Sequence, residues 1–385
     1  MGIPVIVGVG YTKVGEFWYK DIYQISYEAL KMLMNDYGVA DVDALYVGNA
    51  LSSYYDRQLA LASHIADTMG LYDISVSTFS SGGASSAQAI YNAILGVISG
   101  QFESVIVGGV EKMSEELPSK IVRGVSLVEK SFFIDYIGLT SFSLHALVAK
   151  IYMDRFKLDR EDLSALPILE HENSSRSKHS QFRNKITYEM IINAPLVSEP
   201  LTIFDVSAPG DGAAFIAITS EEYAMENGLD YVKILGMGSA SQPANPLERP
   251  SPYIFEATSR ALDKALRQAG KTIEEIDLIE IYNPTSISGL LILDSLGLGR
   301  RGESAKMIRD GFFSLDGRVP INTFGGAKAR GDPKGASTAY QFVEVFLQHM
   351  NMAGDNQVSD MKYSLIHSMV GFDISSYIFI LGDAR

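Results

Sequence analysis

A chain of 385 residues with 46% hydrophobic and 20% charged side chains is long enough for two hydrophobic cores, which excludes a disordered or fibrous protein. Its 32 basic and 46 acidic residues give a net charge of -14, which argues against nucleic acid or an anionic membrane as the main partner. There is no cysteine, so disulfides, thiolate metal sites and a cysteine nucleophile are excluded.

The chain opens on a strand-like run over residues 4–9 with no signal-peptide pattern, and no apolar run is long enough to span a bilayer. A cytoplasmic location is expected. Strand-like runs follow at 44–47, 75–78 and 104–107, with helix-period segments between most of them. Residues 115 to 206 break this rhythm, carry polar stretches such as 174–183, and read as an inserted loop domain. Strands resume at 213–219, 231–237, 278–282, 363–366 and 377–381. Strands alternating with helices predict an α/β fold.

Two segments recur in the same order. Asp41-Val42-Asp43-Ala44-Leu45-Tyr46-Val47-Gly48-Asn49 is matched by Glu275-Ile276-Asp277-Leu278-Ile279-Glu280-Ile281-Tyr282-Asn283, and Gly83-Ala84-Ser85-Ser86-Ala87-Gln88 by Gly335-Ala336-Ser337-Thr338-Ala339-Tyr340. The simplest account is two copies of one α/β unit, residues 1–225 and 226–385, with the loop domain (about 115–206) inserted in the first. The small residues let two helices approach nearly backbone to backbone, so the paired helices are expected side by side between two sheets.

These segments, with Val107-Gly108-Gly109-Val110-Glu111-Lys112-Met113-Ser114, Asp211-Gly212-Ala213-Ala214 and Asn322-Thr323-Phe324-Gly325-Gly326, resemble the thiolase superfamily along essentially the whole chain. The archaeal and sterol-carrier-protein-type branch is the most similar. The resemblance implies a thiolase fold of two βαβαβαββ halves in a five-layered α-β-α-β-α arrangement, with the loop domain covering bound coenzyme A. It also implies a homodimer or a dimer of dimers, coenzyme A or acyl-CoA as ligand with no other cofactor, and, in this branch, a small zinc-ribbon and OB-fold partner subunit.

The family's reactive stations are substituted here. The pattern Cys-Ala-Ser-Gly-Gly falls on Phe79-Ser80-Ser81-Gly82-Gly83, so Phe79 holds the nucleophile position. It cannot form an acyl intermediate, and its bulk is expected to fill part of the thioester site. Gly-His-Pro-x-Gly-Ala falls on Gly331-Asp332-Pro333-Lys334-Gly335-Ala336, with Asp332 in place of the activating histidine. A third station falls on Tyr282-Asn283-Pro284-Thr285, and a fourth is half kept as His367-Ser368-Met369-Val370-Gly371.

Each residue also has an ordinary reading. Ser80 is a substitute nucleophile or, with Ser81, a helix cap, and capping is preferred because a serine needs a neighbouring base. Asp332 is a general base or a cap for the helix near Lys334, Tyr282 a hydrogen-bond donor or a packing residue, and His367 a base or a structural histidine. The remaining histidines, His145 among them, lack metal-ligand spacing, and no metal is expected. Lys178 and Arg183, with Gly325, Gly326 and Gly371, are the candidate contacts for coenzyme A. The resulting expectation is a thiolase-like protein that binds acyl-CoA but lacks ordinary cysteine-dependent acetyltransferase activity. The alternatives are a non-covalent acyl-CoA aldolase using Tyr282 and Asp332, and acyl transfer by a substitute nucleophile.

Overall fold

The computed structural model describes residues 2–38 and 42–384; Asp41, which heads one of the repeated segments, lies outside them. The first half carries β1 (Pro4–Tyr11), α1 (Ile22–Tyr37), β2 (Ala44–Gly48), α2 (Leu61–Met69), β3 (Ser75–Phe79), α3 (Ser85–Ile98) and β4 (Ser104–Glu111). An insert with helices α4 (Pro118–Ser126), α5 (Ser141–Phe156) and α6 (Arg160–Ser174) precedes β5 (Gly212–Ser220). The second half runs β6 (Val232–Ser241), α7 (Glu256–Ala269), β7 (Leu278–Ile281), α8 (Ser286–Leu296), α9 (Ser337–His349), β8 (Tyr363–Val370) and β9 (Ser375–Gly382). All nine strand-like runs of the sequence are strands.

The nine strands form one hydrogen-bonded sheet in the order β3-β2-β4-β5-β1-β6-β9-β8-β7. In the first half β3, β2 and β4 are parallel and β5 and β1 antiparallel. The second half mirrors this: a bridge at Ile321 lies parallel to β7, β7 is parallel to β8, and β9 and β6 are antiparallel. The halves join where Val5 and Ile6 pair with Lys233 and Val232. The expected repeat is therefore present in the topology itself, and the two expected sheets are the two halves of one.

The layers follow from which face each helix buries. Ala87, Ile90 and Ala93 of α3 share a core with Ala339, Phe342 and Phe346 of α9, and both helices pack on Ile216 of the first half and Phe379 of the second. They form the central layer. A Cβ on Gly48 would stand 2.3 Å from the Ser86 nitrogen, so the close approach of α3 to β2 requires glycine there. Ile25, Ala29 and Leu33 of α1 cover the outer face of the first half-sheet. Ala261 and Ala265 of α7 and Leu290 of α8 cover the second. The insert is helical rather than a set of loops, and α5 and α6 pack into the same core as α8. No helix among the described residues is long and apolar enough to cross a membrane.

Candidate active site

The ends of β3, β7 and β8, the N-terminal approaches to α3 and α9, and the insert helices α4 and α5 surround a cavity of about 410 Å³. Ser80, Ser81 and Gly83 line it from the β3–α3 turn, and Tyr282 and Pro284 from the end of β7. Lys334 enters ahead of α9, Ser141 and His145 from α5, and Gly371 from the β8–β9 turn.

Tyr282 takes its place because its backbone N–H continues the β7–β8 ladder, donating to the His367 carbonyl at 3.0 Å. Its ring then lies on Gly83, where a Cβ would stand 2.1 Å from ring carbons and 2.3 Å from the hydroxyl. Only glycine at position 83 admits the ring. The Tyr282 hydroxyl is 3.3 Å from Asp332 Oδ2, to which it donates, and accepts from Lys334 Nζ at 3.3 Å. Lys334 closes a buried ion pair with Asp332 and also donates to Ser207 Oγ at 3.3 Å. All three ammonium protons thus have partners. Asp332 is fully buried, accepts from Ser337 Oγ at 2.6 Å through Oδ1, and is anchored by its own N–H to the Ala208 carbonyl at 2.8 Å. Burial first, then the adjacent Asp332 carboxylate, pushes the Tyr282 hydroxyl well above its ordinary pKa. Tyr282 therefore stays protonated at neutral pH and serves as a donor.

Glu111, at the end of β4, braces this region. Its buried carboxyl accepts from the N–H groups of Ala50 at 2.9 Å, Leu51 at 3.2 Å and Gly335 at 3.0 Å. It ties the cavity-lining loop after β2 to the residue next to Lys334. Burial pushes its pKa up to about 7 even though the backbone donors pull it down.

The structure sorts the residues singled out in the sequence. Phe79 does not line the cavity: its half-buried ring packs on Tyr46 at 5.5 Å, so it does not fill the space expected of it. Ser80 lines the cavity, but its hydroxyl donates to the Ala50 carbonyl at 3.3 Å and caps no helix; α3 has no side-chain cap. Ser80 has no base beside it among the described residues. Asp332 does not cap α9; it is paired with Lys334 behind the cavity wall. Asn283 turns away from the cavity, accepting from Asn322 at 3.1 Å.

His367 lies on the opposite face of its strand, 3.1 Å from Thr258 of α7, and burial lowers its pKa to about 3. Gly325 and Gly326 lie outside the cavity; a Cβ on Gly326 would stand 2.1 Å from Glu170 Oε1, so these glycines seat a buried carboxyl and amide cluster. Lys178 and Arg183 are exposed and away from the cavity lining, whereas Gly371 is part of it.

Two groups emerge only in the structure. Lys334 occupies the variable position of the Gly331–Ala336 segment, and its one sequence signal is a lysine two residues after an aspartate in an otherwise small and apolar stretch. His145 has no such signal. The fold brings it to Thr285, 2.9 Å from Nδ1, with its ring 4.3 Å from that of Phe372.

Residues 4–197 match the family described as thiolase, N-terminal domain, and residues 238–383 match thiolase C-terminal domain-like. The acetyl-CoA acetyltransferase of Methanothermobacter thermautotrophicus is 33% identical, over 95% of this chain and 96% of that protein. That of Methanocaldococcus jannaschii is 31% identical over 99% of both. Human sterol carrier protein 2 is 26% identical over 94% of this chain and 69% of its own length. Among solved structures, the Ltp2-ChsH2(DUF35) aldolase superposes with a TM-score of 0.86 at 21% identity, covering 100% of this chain and 98% of that one. Human mitochondrial 3-ketoacyl-CoA thiolase gives 0.76 at 18% identity over 99% of both. The two superpositions establish the shared fold.

Proposed function

This chain belongs to the thiolase family, and on that premise we propose that it breaks or forms a carbon–carbon bond beside an acyl-CoA thioester without an acyl-enzyme intermediate. Members of the family bind CoA thioesters, and a protein without cysteine cannot carry the acyl group on a thiol. The observation that carries the reading is the buried Tyr282, Asp332 and Lys334 cluster on the cavity wall. It stands at the station where the family pattern places a histidine.

The substrate class is a β-hydroxyacyl-CoA. With the thioester oxygen toward Tyr282 and Lys334, the hydroxyl proton now given to Asp332 and an ammonium proton now given to Ser207 or Tyr282 turn to the atom that gains negative charge when the Cα–Cβ bond breaks. Asp332 keeps its ion pair with Lys334 and does not touch the substrate. The glycine-rich turn 80–83 and Gly371 leave room for the thioester arm. The fold likeness to the Ltp2-ChsH2(DUF35) aldolase supports this chemistry, and a DUF35-type partner subunit is proposed with it. A homodimer through β3 is also proposed: β3 pairs with β2 alone, at the sheet edge, and leaves its other side open.

The test is incubation with 3-hydroxyacyl-CoA thioesters of graded length and mass-spectrometric detection of acetyl-CoA and the released carbonyl compound. Both products should appear together. Tight binding with no cleavage of any thioester would leave a protein that only binds acyl-CoA.

A further inference from the structure

With Tyr282, Lys334 and Asp332 assigned, the proposed reaction still lacks a base, and the cavity wall holds one unassigned basic group, His145 of α5. Its tautomer is assigned through Ser288. The Ser288 hydroxyl donates to the Thr285 carbonyl at 2.8 Å, which uses its only proton. The Thr285 hydroxyl, 3.1 Å away, therefore donates to Ser288 Oγ while accepting from the Ser288 N–H at 3.2 Å. With that proton on Ser288, the 2.9 Å contact assigns the Nδ1–H tautomer to His145. On that assignment Nε2 is the bare nitrogen, 3.5 Å from the Oγ of Ser141, which also lines the cavity and donates to Glu129 Oε1 at 3.3 Å.

Behind Nε2 lies Glu129. Its side chain is 1% exposed, and its Oε1 is 3.9 Å from Nε2. Its Oε2 has no hydrogen-bond partner among the described residues. Gly371 of the cavity lining lies against it, where a Cβ would be 3.1 Å from both carboxylate oxygens. A bare nitrogen facing a carboxylate is unfavourable until a proton is placed on the nitrogen, at which point the two form an ion pair.

We propose that His145 is the catalytic base of the reaction proposed above, and that Glu129 is the positioning residue that stabilises it once it is protonated. The inference rests on that reading of the cavity. Nε2 takes the proton of the β-hydroxyl, the Cα–Cβ electron pair moves toward the thioester, and the carbonyl product leaves. The enolate held by Tyr282 and Lys334 then recovers the proton from Nε2 at Cα, so atoms and charge balance with no further reactant. Burial lowers the pKa of His145, which keeps the imidazole neutral and able to accept. The groups facing it are Glu129, which raises its pKa, Lys334, which lowers it, and the uncharged Ser141, Thr285 and Phe372.

The experiment is deuterium wash-in to the methyl group of acetyl-CoA in D2O, which isolates the enolate half-reaction. The native protein should exchange, and His145→Gln should slow exchange by about 100-fold or more, the usual effect of losing such a group. Glu129→Gln should remain active with its acid limb moved to lower pH, because imidazolium loses its counter-charge. Exchange by folded His145→Gln at the native rate, or an unmoved acid limb in Glu129→Gln, overturns the assignment while leaving the reaction class standing. If His145→Gln does not fold, the Glu129→Gln profile decides. A native protein that neither exchanges acetyl-CoA nor cleaves a 3-hydroxyacyl-CoA refutes the reaction class, and this assignment falls with it.

Discussion

The Tyr282 hydroxyl and the Lys334 ammonium lie 3.3 Å apart, and both are held by the same carboxylate oxygen of Asp332. Two donors tethered to one buried acceptor cannot drift apart, so a substrate oxygen meets both once Lys334 releases Ser207 and the Tyr282 hydroxyl turns its proton from Asp332.

The ion pair gives the first prediction. Asp332→Asn or Lys334→Met alone leaves a buried group without its partner and should cost about 3–5 kcal/mol. The double variant should recover most of that loss in chemical denaturation. Additive losses would mean that the two side chains are not coupled.

The absence of cysteine makes a clean labelling experiment possible. Ser80→Cys places a thiol on the cavity lining near the start of α3, whereas Phe79→Cys places one against Tyr46. Iodoacetamide should modify Ser80→Cys several-fold faster, and acetyl-CoA should protect it while leaving Phe79→Cys unaffected. Equal rates and equal protection would place both side chains in one site.

These two residues show how far the sequence was legible. The strands and the internal repeat were visible because β-branched runs and small-residue openings are local signals. Side-chain direction was not, because alternation along a strand assigns a face only once the strand's neighbours are known. For that reason Phe79 lies on Tyr46 and His367 points to α7, although both belong to segments with a reactive precedent in the family. The partnership of Asp332 with Lys334 was within two residues of view. The meeting of His145 with Thr285 spans 140 residues and left no local trace.

Buried carboxyls give the protein a specific pH response. Burial pushes Glu111 up to about 7 and Glu170 up to about 8, and burial together with Glu344 raises Glu280. Each keeps its proton longer when folded, so its contribution is complete below 4.5 and is lost as pH rises through the folded value. His171 and His349, lowered to about 4, and His367, lowered to about 3, act in the opposite sense but are complete above 6.5. Lys328, lowered to about 8, adds its opposing gain only above that pH. Between pH 6.5 and 8 urea stability should therefore fall, by at most about 1.4 kcal/mol per unit for each carboxyl. Glu170→Gln should flatten the slope. A rise over that window would contradict the assignment.

The most direct test of the central claim compares single-turnover cleavage of a 3-hydroxyacyl-CoA by the native protein and by Tyr282→Phe, with intact mass recorded throughout. Loss of one such donor costs about 100-fold or more, so Tyr282→Phe should cleave at least that much more slowly, and neither protein should gain the mass of an acyl group. Cleavage at an equal rate in the two proteins, or an acyl adduct accumulating on either, would contradict a mechanism in which Tyr282 stabilises the enolate without covalent capture.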